Sequence, residues 1–437
     1  MYVRPSPCFE GELEGVRAGI FSKVEQMITR SEWHKCTWGD IATLEYGKGL
    51  REYGAGTDAT YPVYGTNGLI GWHSEPLFHG PGVIIGRKGA YRGVHYSQKP
   101  FFVIDTAFYL KPKEEIDLRW AYYQLCTQDI NGMDSGSAIP STSRSDFYHL
   151  PVTVPPLAEQ QAIAATLGAL DDKIELNRRM NQTLEELGRT LFRAWFVDFV
   201  PVRAKREGRA PDGIDAETAA LFPAEFEDSA MGPIPKGWRL TTVGEVAKIN
   251  AWSLSKNDML EKIEYIEISE VSRGEVGHIP VYTRGKEPGR ARRRLRHGDT
   301  VLSTVRPDRE AYFLALDPPE TLIASTGFAV ISPEDVPWSF LHPLLTMPEI
   351  FQCLGHLAEG GAYPAVSPRV VSEIEFALPS RQILTAFAQM VAPLYEKMSA
   401  NRQESSKLTS LRDALLPELM SGEIRVQAVY EESKATQ

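Results

Sequence analysis

Two stretches of the chain repeat apolar residues at steps of three and four. In the first, Ile163, Leu167, Leu170, Ile174, Met180, Leu184, Leu187 and Leu191 form one stripe, with Asn177 on it. In the second, Phe387, Val391, Leu394, Met398, Leu408, Leu411 and Leu415 follow the same register, with Asn401 on the stripe, and each lies 224 positions after its counterpart. A mean spacing of about 3.5 residues is that of a coiled-coil seam, and a shared seam asparagine fixes register at some cost in stability. The pattern therefore predicts two long helices that pack helix against helix. Pro393 removes a backbone donor and is expected to kink or start the second helix there. Between these stretches, short β-rich runs such as Gly82-Val-Ile-Ile85, Phe101-Phe-Val-Ile104 and Asp299-Thr-Val-Leu302 are bounded by Gly and Pro, which reads as mixed α/β structure. Gly54-Ala-Gly-Thr-Asp58 and Tyr64-Gly-Thr-Asn-Gly68 carry turn chemistry.

The repeat extends beyond the helices. Trp33-His-Lys-Cys-Thr-Trp-Gly-Asp-Ile-Ala42 matches Trp238-Arg-Leu-Thr-Thr-Val-Gly-Glu-Val-Ala247 at an offset of 205. Thr106-Ala-Phe108 matches Thr326-Gly-Phe328 at 220, and Ala138-Ile-Pro140 with Ser143 matches Ala362-Tyr-Pro364 with Ser367 at 224. The offset grows through insertions in the second copy, mostly before residue 330. Units of this length are domains, not solenoid repeats. The organisation is an extension (1–31), a first domain (32–157), a central helix (158–200), a connector rich in Pro, Glu, Asp and Ala (201–235), a second domain (236–380), a second helix (381–423) and a polar tail (424–437).

Composition changes this picture in one respect. The 437 residues carry a net charge of −10, which argues against a uniformly basic nucleic-acid binder. Residues 284–309, however, hold nine basic groups, among them Lys286 and Arg296, against the three acids Glu287, Asp299 and Asp308. Five arginines fall between 290 and 296, and arginine forks suit phosphates and guanine edges. The four cysteines are far apart and form no CxxC pair, so a disulfide framework or zinc site is not expected. The N-terminus lacks an apolar signal-peptide core and no run has the length of a membrane span, so a soluble, cytoplasmic protein is expected.

Catalytic motifs are weak. Asp317-Pro-Pro-Glu320 resembles the Asp-Pro-Pro-aromatic motif of amino-methyltransferases without its aromatic residue, and reads as a turn. Asp171-Asp-Lys173 mimics the acid-x-Lys end of a nuclease site, but lies on the helix beside seam positions. Gly80-Pro-Gly-Val-Ile-Ile-Gly86 lacks the Lys-Ser/Thr of a phosphate loop, and His73, His79 and His95 have no ligand-like neighbours in sequence. No catalytic and no metal site is expected. Duplication points instead to binding at two separated sites. A helix of forty residues is about 60 Å long, more than one turn of duplex DNA, about 34–36 Å.

Three long motifs then point to a family. Pro155-Pro-Leu-Ala-Glu-Gln-Gln-Ala-Ile-Ala164, Leu170-Asp-Asp-Lys-Ile-Glu-Leu-Asn-Arg178 and Leu191-Phe-Arg-Ala-Trp-Phe-Val-Asp-Phe199 closely resemble the central conserved region of specificity subunits of type I restriction–modification enzymes. Tyr46-Gly-Lys-Gly-Leu50 and Tyr61-Pro-Val-Tyr-Gly-Thr-Asn-Gly68 look like that family's first target-recognition domain. Leu415-Leu-Pro-Glu-Leu-Met-Ser-Gly-Glu-Ile424 looks like its C-terminal conserved region. The resemblance covers nearly everything after residue 31. It implies an α+β chain of two tandem mixed α/β target-recognition domains, separated by two long helices in an antiparallel coiled coil with pseudo-twofold arrangement. It implies that each domain reads one half of a bipartite double-stranded DNA site, and that the helices set the gap and dock two modification (methyltransferase) subunits. The subunit itself would be non-catalytic and cofactor-free. S-adenosylmethionine would belong to the modification subunits, and ATP and Mg2+ to restriction subunits that translocate and cleave. The competing reading is a non-enzymatic scaffold whose duplicated domains bind protein partners.

Within this frame the candidate DNA contacts of the first domain are Lys48, Arg51, Tyr64, Asn67, Arg87, Lys88, Arg92, Ser143 and Arg144. Those of the second are Arg284, Arg290, Arg292, Arg293, Arg294, Arg306, Arg309, Ser367 and Arg369. Basic and amide groups flanked by glycine can approach backbone and base edges. Helix pairing and docking fall to Leu167, Leu170, Ile174, Asn177, Leu184, Leu187, Leu191, Trp195, Phe196, Leu394, Met398, Asn401, Leu408, Leu411 and Leu415. The acidic balance further predicts weak DNA binding by this chain alone, with partners supplying much of the phosphate affinity.

Overall fold

A computed structural model describes residues 33–54, 60–133, 140–255, 257–361 and 363–426. The expected extension 1–31, the turn residues 55–59, the repeat residues Ala138 and Ala362 and the end of the tail lie outside the described residues. The chain divides into two compact units, Met1–Asp172 with Thr409–Gln437, and Lys173–Leu408.

In the first unit, His34–Thr37 pairs antiparallel with the distant strand Pro151–Val154. A one-turn helix, Trp38–Ile41, follows, its start fixed by the Asp40 carboxylate accepting from the Thr37 amide at 2.8 Å. One antiparallel sheet has the order Ala42–Tyr46, Ala107–Pro112, Gly82–Gly86, Val94–Ser97. The apolar run Gly82–Gly86 is buried throughout, as a strand covered on both faces must be. A second sheet sets Tyr61–Gly65 between Gly68–His73 and a parallel partner, Phe102–Val103. Trp38, Trp120, Phe147, Ile163 and Leu167 share the main core with Leu419 and Met420.

The second unit repeats this topology. Arg239–Thr242 pairs with Glu375–Leu378, and the one-turn helix Val243–Val246 follows. The main sheet runs Ala247–Ile249, Phe328–Pro333, Asp299–Ser303, Tyr312–Ala315. The second sheet runs Val281–Thr283, Lys262–Ile266, Leu322–Ser325, Ala291–Arg294, again with one parallel pair, 262–266 with 322–325. The strand Ala291–Arg294 has no counterpart in the first unit, and with its flanking loops it lies in the region where the repeat offset grows. The stretch 201–235 is folded: a helix at Val200–Arg206 and a hairpin of Phe226–Ser229 with Gly232–Pro235 bring Val202, Phe222 and Ile234 into the core of this unit.

Both long helices are present, at Leu157–Phe196 and Arg381–Ser421. Pro393 neither starts nor ends the second. The helix begins at Arg381 because Ile383, Leu384, Phe387 and Val391 are buried in the core, and that packing outweighs one missing backbone donor. Within the second unit, Asn177 lies beside Asn401, Glu404 and Ser405, and Asn181 beside Met398. One residue number falls as the other rises, so the helices are antiparallel. Within the first unit Asp171 meets Arg412 at 2.7 Å. Among the described residues no helix is long and apolar enough to cross a membrane.

One buried charge marks the second sheet-forming core. The Asp299 carboxyl is fully buried, and desolvation pushes it up to about 6. A folded value above the unfolded one, about 3.9, means that the folded state holds extra proton between the two. Stability therefore falls as pH rises through that window, and the full penalty is present above it. Asp299→Asn keeps an acceptor for the Arg296 amide, bound at 2.7 Å. It should flatten the slope between about pH 4 and 6 and stabilise the unit by up to ~3 kcal/mol at pH 7, read by urea melts across that range.

Candidate nucleic-acid interface and helix seam

In the first unit the strand Ala42–Tyr46 ends at Gly47, where a Cβ would collide with the carbonyls of Val103 and Ile104. Only glycine fits this approach, and the Lys48 amide then donates to the Val103 carbonyl at 2.9 Å. Tyr46 is exposed, and two guanidinium groups lie over its ring, Arg87 at 4.8 Å and Arg144 at 5.1 Å. Arg87 also donates to the Asp105 carbonyl at 3.0 Å, and Arg144 to the Tyr148 hydroxyl at 3.2 Å. The Thr66 hydroxyl donates to the carbonyls of Lys88 at 2.8 Å and Thr106 at 3.0 Å, which ties the hairpin turn carrying Asn67 to the basic loop. Asn67, Lys48, Arg51 and Lys88 are exposed. Arg87 and Arg144 are thus brought together over an aromatic platform of the kind that binds and orients cations, and Lys88 and Asn67 sit on the loop and turn that Thr66 ties together. Tyr46 itself is not among the sequence candidates, though it opens one of the quoted motifs.

Three first-domain candidates have other work. Arg92 is only 2% exposed, and its guanidinium donates to the carbonyls of Gly89, Ile130, Asn131 and Met133 at 2.5–3.3 Å. It is a structural bolt between two loops and is withdrawn from the DNA contacts. Tyr64 is half-buried and edge-on to Phe101 with ring centroids 6.0 Å apart, and burial pushes its hydroxyl up. Ser143 caps the helix Arg144–His149, accepting from the Asp146 amide at 3.3 Å. Ser367, its repeat counterpart, is exposed and makes no cap bond.

The basic window of the second unit is less positive than its sequence. Arg284 is paired with Glu287 and donates to the Ser255 carbonyl at 2.7 Å. Arg294 is paired with Asp258 at 3.0 Å, and Arg369 with Glu373 at 2.7 Å. These three are corrected from free contacts to neutralised ones. Arg292 is different: the register of Ala291–Arg294 shifts by one against Leu322–Ser325, so Arg292 is the extra residue of a bulge and is exposed. Bulges at sheet edges re-aim side chains. Arg293, half-buried, is pulled down by desolvation alone, and its Nε has no hydrogen-bond partner among the described residues. Arg290 and Arg309 are exposed. Arg296 lies 3.3 Å over the Trp252 ring, and Arg306 lies 4.7 Å over Tyr363.

One backbone device occurs in both units. In the first, the Gly89 amide donates to the Pro140 carbonyl at 3.0 Å and the Thr142 amide to the Arg87 carbonyl at 2.9 Å. In the second, the Arg306 amide donates to the Pro364 carbonyl at 2.7 Å and the Val366 amide to the Thr304 carbonyl at 2.9 Å. Each pair clamps the loop after an inner strand to the segment before a short helix. Both clamps hold cationic loops.

The helix seam is close to the expected stripe but not identical. Asn177 and Asn401 are buried, 0% and 1% exposed. Asn177 donates to Glu404 at 2.8 Å, and Asn401 to Asn181 at 2.9 Å. Leu167 and Met398 are buried, and Leu170, Ile174, Leu184, Leu191, Leu394, Leu408, Leu411 and Leu415 half-buried. Leu187 is 45% exposed and leaves the seam. Gly188 takes its place, leaving room for the Tyr395 ring, and Asn181 replaces Met180. The true steps, 177, 181, 184, 188, 191, 195, keep the heptad alternation. Trp195 and Phe196 are buried against Phe387, with centroids at 5.5 and 4.8 Å. They are core residues of the second unit, not a docking surface. Asp171 accepts from the Tyr123 hydroxyl at 2.6 Å and pairs with Arg412. Arg119, bound at 2.7 Å, holds the Asp172 carboxyl below the usual range. Both acids thus serve the helix packing. Among the described residues no group of three His, Cys, Asp or Glu is placed to hold a metal.

A duplicated sheet pair on paired antiparallel helices defines the class. Residues 30–186 match the family described as type I restriction modification DNA specificity domain. The chain is 27% identical over 363 residues to the HindI specificity subunit of Haemophilus influenzae, covering 69% of this chain and 74% of that one. It is 24% identical over 326 residues to the MjaIX specificity subunit of Methanocaldococcus jannaschii, covering 72% and 71%. A crystal structure of a type I S subunit from M. genitalium shares the fold with a TM-score of 0.57 at 19% identity, over 90% of this chain and 98% of that one. Over most of its length the chain is thus similar to type I restriction-enzyme specificity subunits, and residues 30–186 carry the match to their DNA specificity domain.

Proposed function

We propose that this chain is the DNA-reading subunit of a type I restriction–modification complex. Each of its two sheet-forming domains reads one half of a bipartite duplex site, and the paired helices set the gap. The helices dock two modification subunits, which would carry S-adenosylmethionine. Restriction subunits using ATP and Mg2+ would complete the assembly, and this chain would contribute no catalytic group. The observation that carries the reading is the clamp found twice, each copy holding a cationic loop whose arginine stacks on an exposed tyrosine. Duplicated readers on a fixed spacer suit two half-sites of a duplex, and the exposed cations of both loops suit its phosphates.

The test is binding of the complex with its modification partner to a randomised duplex library. A bipartite consensus is expected, and equal affinity for all duplexes would sink the proposal. Within that assay, Arg87→Ala with Arg144→Ala, or Arg292→Ala with Arg293→Ala, should each lower affinity and reduce the salt slope by about 0.9 for every phosphate left without its cation. Arg294→Ala should do little, since Asp258 already neutralises that charge. Unchanged affinity and slope in both double variants would favour the scaffold.

A further inference from the structure

In the first unit, the loop that joins Gly82–Gly86 to Val94–Ser97 is fastened on both sides of its tip. Before the tip, the amides of Arg87 and Lys88 donate to the Thr106 carbonyl at 2.9 and 3.2 Å, and the Gly89 amide to the Pro140 carbonyl at 3.0 Å. After it, the Arg92 amide donates to the Asn131 side-chain oxygen at 2.6 Å and the Gly93 amide to the Thr66 carbonyl at 3.1 Å. The base is closed by the Gly86 amide on the Gly93 carbonyl at 2.8 Å. The buried Arg92 guanidinium reaches back across the tip to the Gly89 carbonyl at 2.9 Å, while it also holds Ile130, Asn131 and Met133. Gly89, at φ +121°, then turns the chain into a two-residue tip, Ala90 and Tyr91, as only glycine does without strain.

Tyr91 is 78% exposed, against 48% for Tyr46, 42% for Tyr53 and 40% for Trp72 of the same unit. An exposed apolar residue is ordinary by itself. The support beneath this one is not. Burying a guanidinium is costly unless its donors are satisfied, and here the satisfied donors fix a loop tip. The result is an aromatic ring held out in water on a backbone ordered in advance, which lowers the entropy that binding must overcome. Cations surround its base. Lys88 is exposed on the same loop, and Arg87 lies over Tyr46. The Thr66 hydroxyl, bound to the Lys88 carbonyl, brings up the turn with exposed Asn67. An exposed ring among cations complements a partner with phosphates outside and flat π-faces within, which is a nucleic acid.

Resting on the DNA-reading proposal above, we infer that Tyr91 is a wedge. Its ring enters the duplex at the half-site of the first domain, unstacks one base step and stacks on a base, with Lys88 on a neighbouring phosphate. The test uses the full chain with its modification partner and a duplex carrying the consensus selected from the randomised library. A fluorescent purine analogue that brightens on unstacking is placed in turn at each position except the methylated adenines. Complex formation should brighten one step of one half-site. Tyr91→Ala should abolish that signal and weaken binding about 5- to 150-fold, the loss of one base stack, at an unchanged melting temperature because the side chain is exposed. Tyr91→Phe should keep both signal and affinity. Lys88→Ala should keep the signal while it reduces the salt slope by about 0.9. The inference is overturned if Tyr91→Ala binds and brightens like the wild type, or if Tyr91→Phe is impaired as much as Tyr91→Ala, the mark of a hydroxyl contact. It is also overturned if Tyr91→Ala fails to capture the modification subunit without DNA, the mark of a protein contact. A wild-type complex with no bipartite preference would overturn the DNA-reading proposal itself, whereas a bipartite preference with no brightened step overturns the wedge alone.

Discussion

Arg92→Met should destabilise the first unit by about 3–5 kcal/mol, whereas Arg87→Ala and Arg144→Ala should leave its melting temperature near that of the wild type. All three arginines are candidate DNA contacts of the first domain by sequence, yet their partners differ in kind. Arg92 is buried and satisfies the carbonyls of Gly89, Ile130, Asn131 and Met133. Methionine fills the volume of the stem but leaves those acceptors buried and unpaired, each at a cost of about 1–3 kcal/mol less whatever water can reach. Arg87 and Arg144 lie over the exposed Tyr46 ring, so their removal leaves no buried group unsatisfied. Thermal melts and duplex binding together separate the roles. Should Arg92→Met melt like the wild type and lose only DNA affinity, Arg92 would return to the interface. DNA binding lost together with stability would instead show that the loop of Arg87 and Lys88 needs its bolt.

The same contrast explains what could be read from the chain beforehand. Helix pairing was legible because burial imposes a period on residue type over forty residues, and a few exceptions do not hide it. The exceptions have physical causes. Gly188 has no apolar signature, so Leu187 next to it takes its place in a pattern, although it is the glycine that lies against the Tyr395 ring. Pro393 reads as a break, yet the apolar turn before it is locked in the core. Duplication was legible in a few motifs and proves to extend to strand order in both sheets. The fate of individual arginines was not legible. Asp258 neutralises Arg294 from 36 positions away, and the partners of Arg92 are backbone carbonyls, which carry no residue type at all. Conversely, the arginine–tyrosine stacks join positions 41 and 57 apart, Arg87 with Tyr46 and Arg306 with Tyr363, and only the fold closes those distances.

The helix aromatics provide the second large effect. Phe387→Ala should cost the second unit about 3–5 kcal/mol. Phe387 is fully buried, and its ring lies 5.9 Å from Phe192, 5.5 Å from Trp195 and 4.8 Å from Phe196. These rings bring together both long helices and Phe340 of the second domain, so truncation opens a void that three elements share and none can close alone. Phe196→Ala should act alike, because Phe196 also meets Trp238 and Phe340. Leu187→Ala, at an exposed position of the same helix, should change stability by no more than about 0.5 kcal/mol. Denaturant melts of the three variants, alongside capture of the modification subunit, decide between core and docking roles. A core role gives large losses of stability for the two phenylalanines, with partner capture recovered under conditions that keep the fold intact. A docking role gives failed capture at unchanged stability, an outcome that the burial of Phe196 makes the structure forbid. Leu187 is then the better probe of a partner surface: it is apolar, exposed and carried on a rigid helix, and its removal should weaken capture without disturbing the fold.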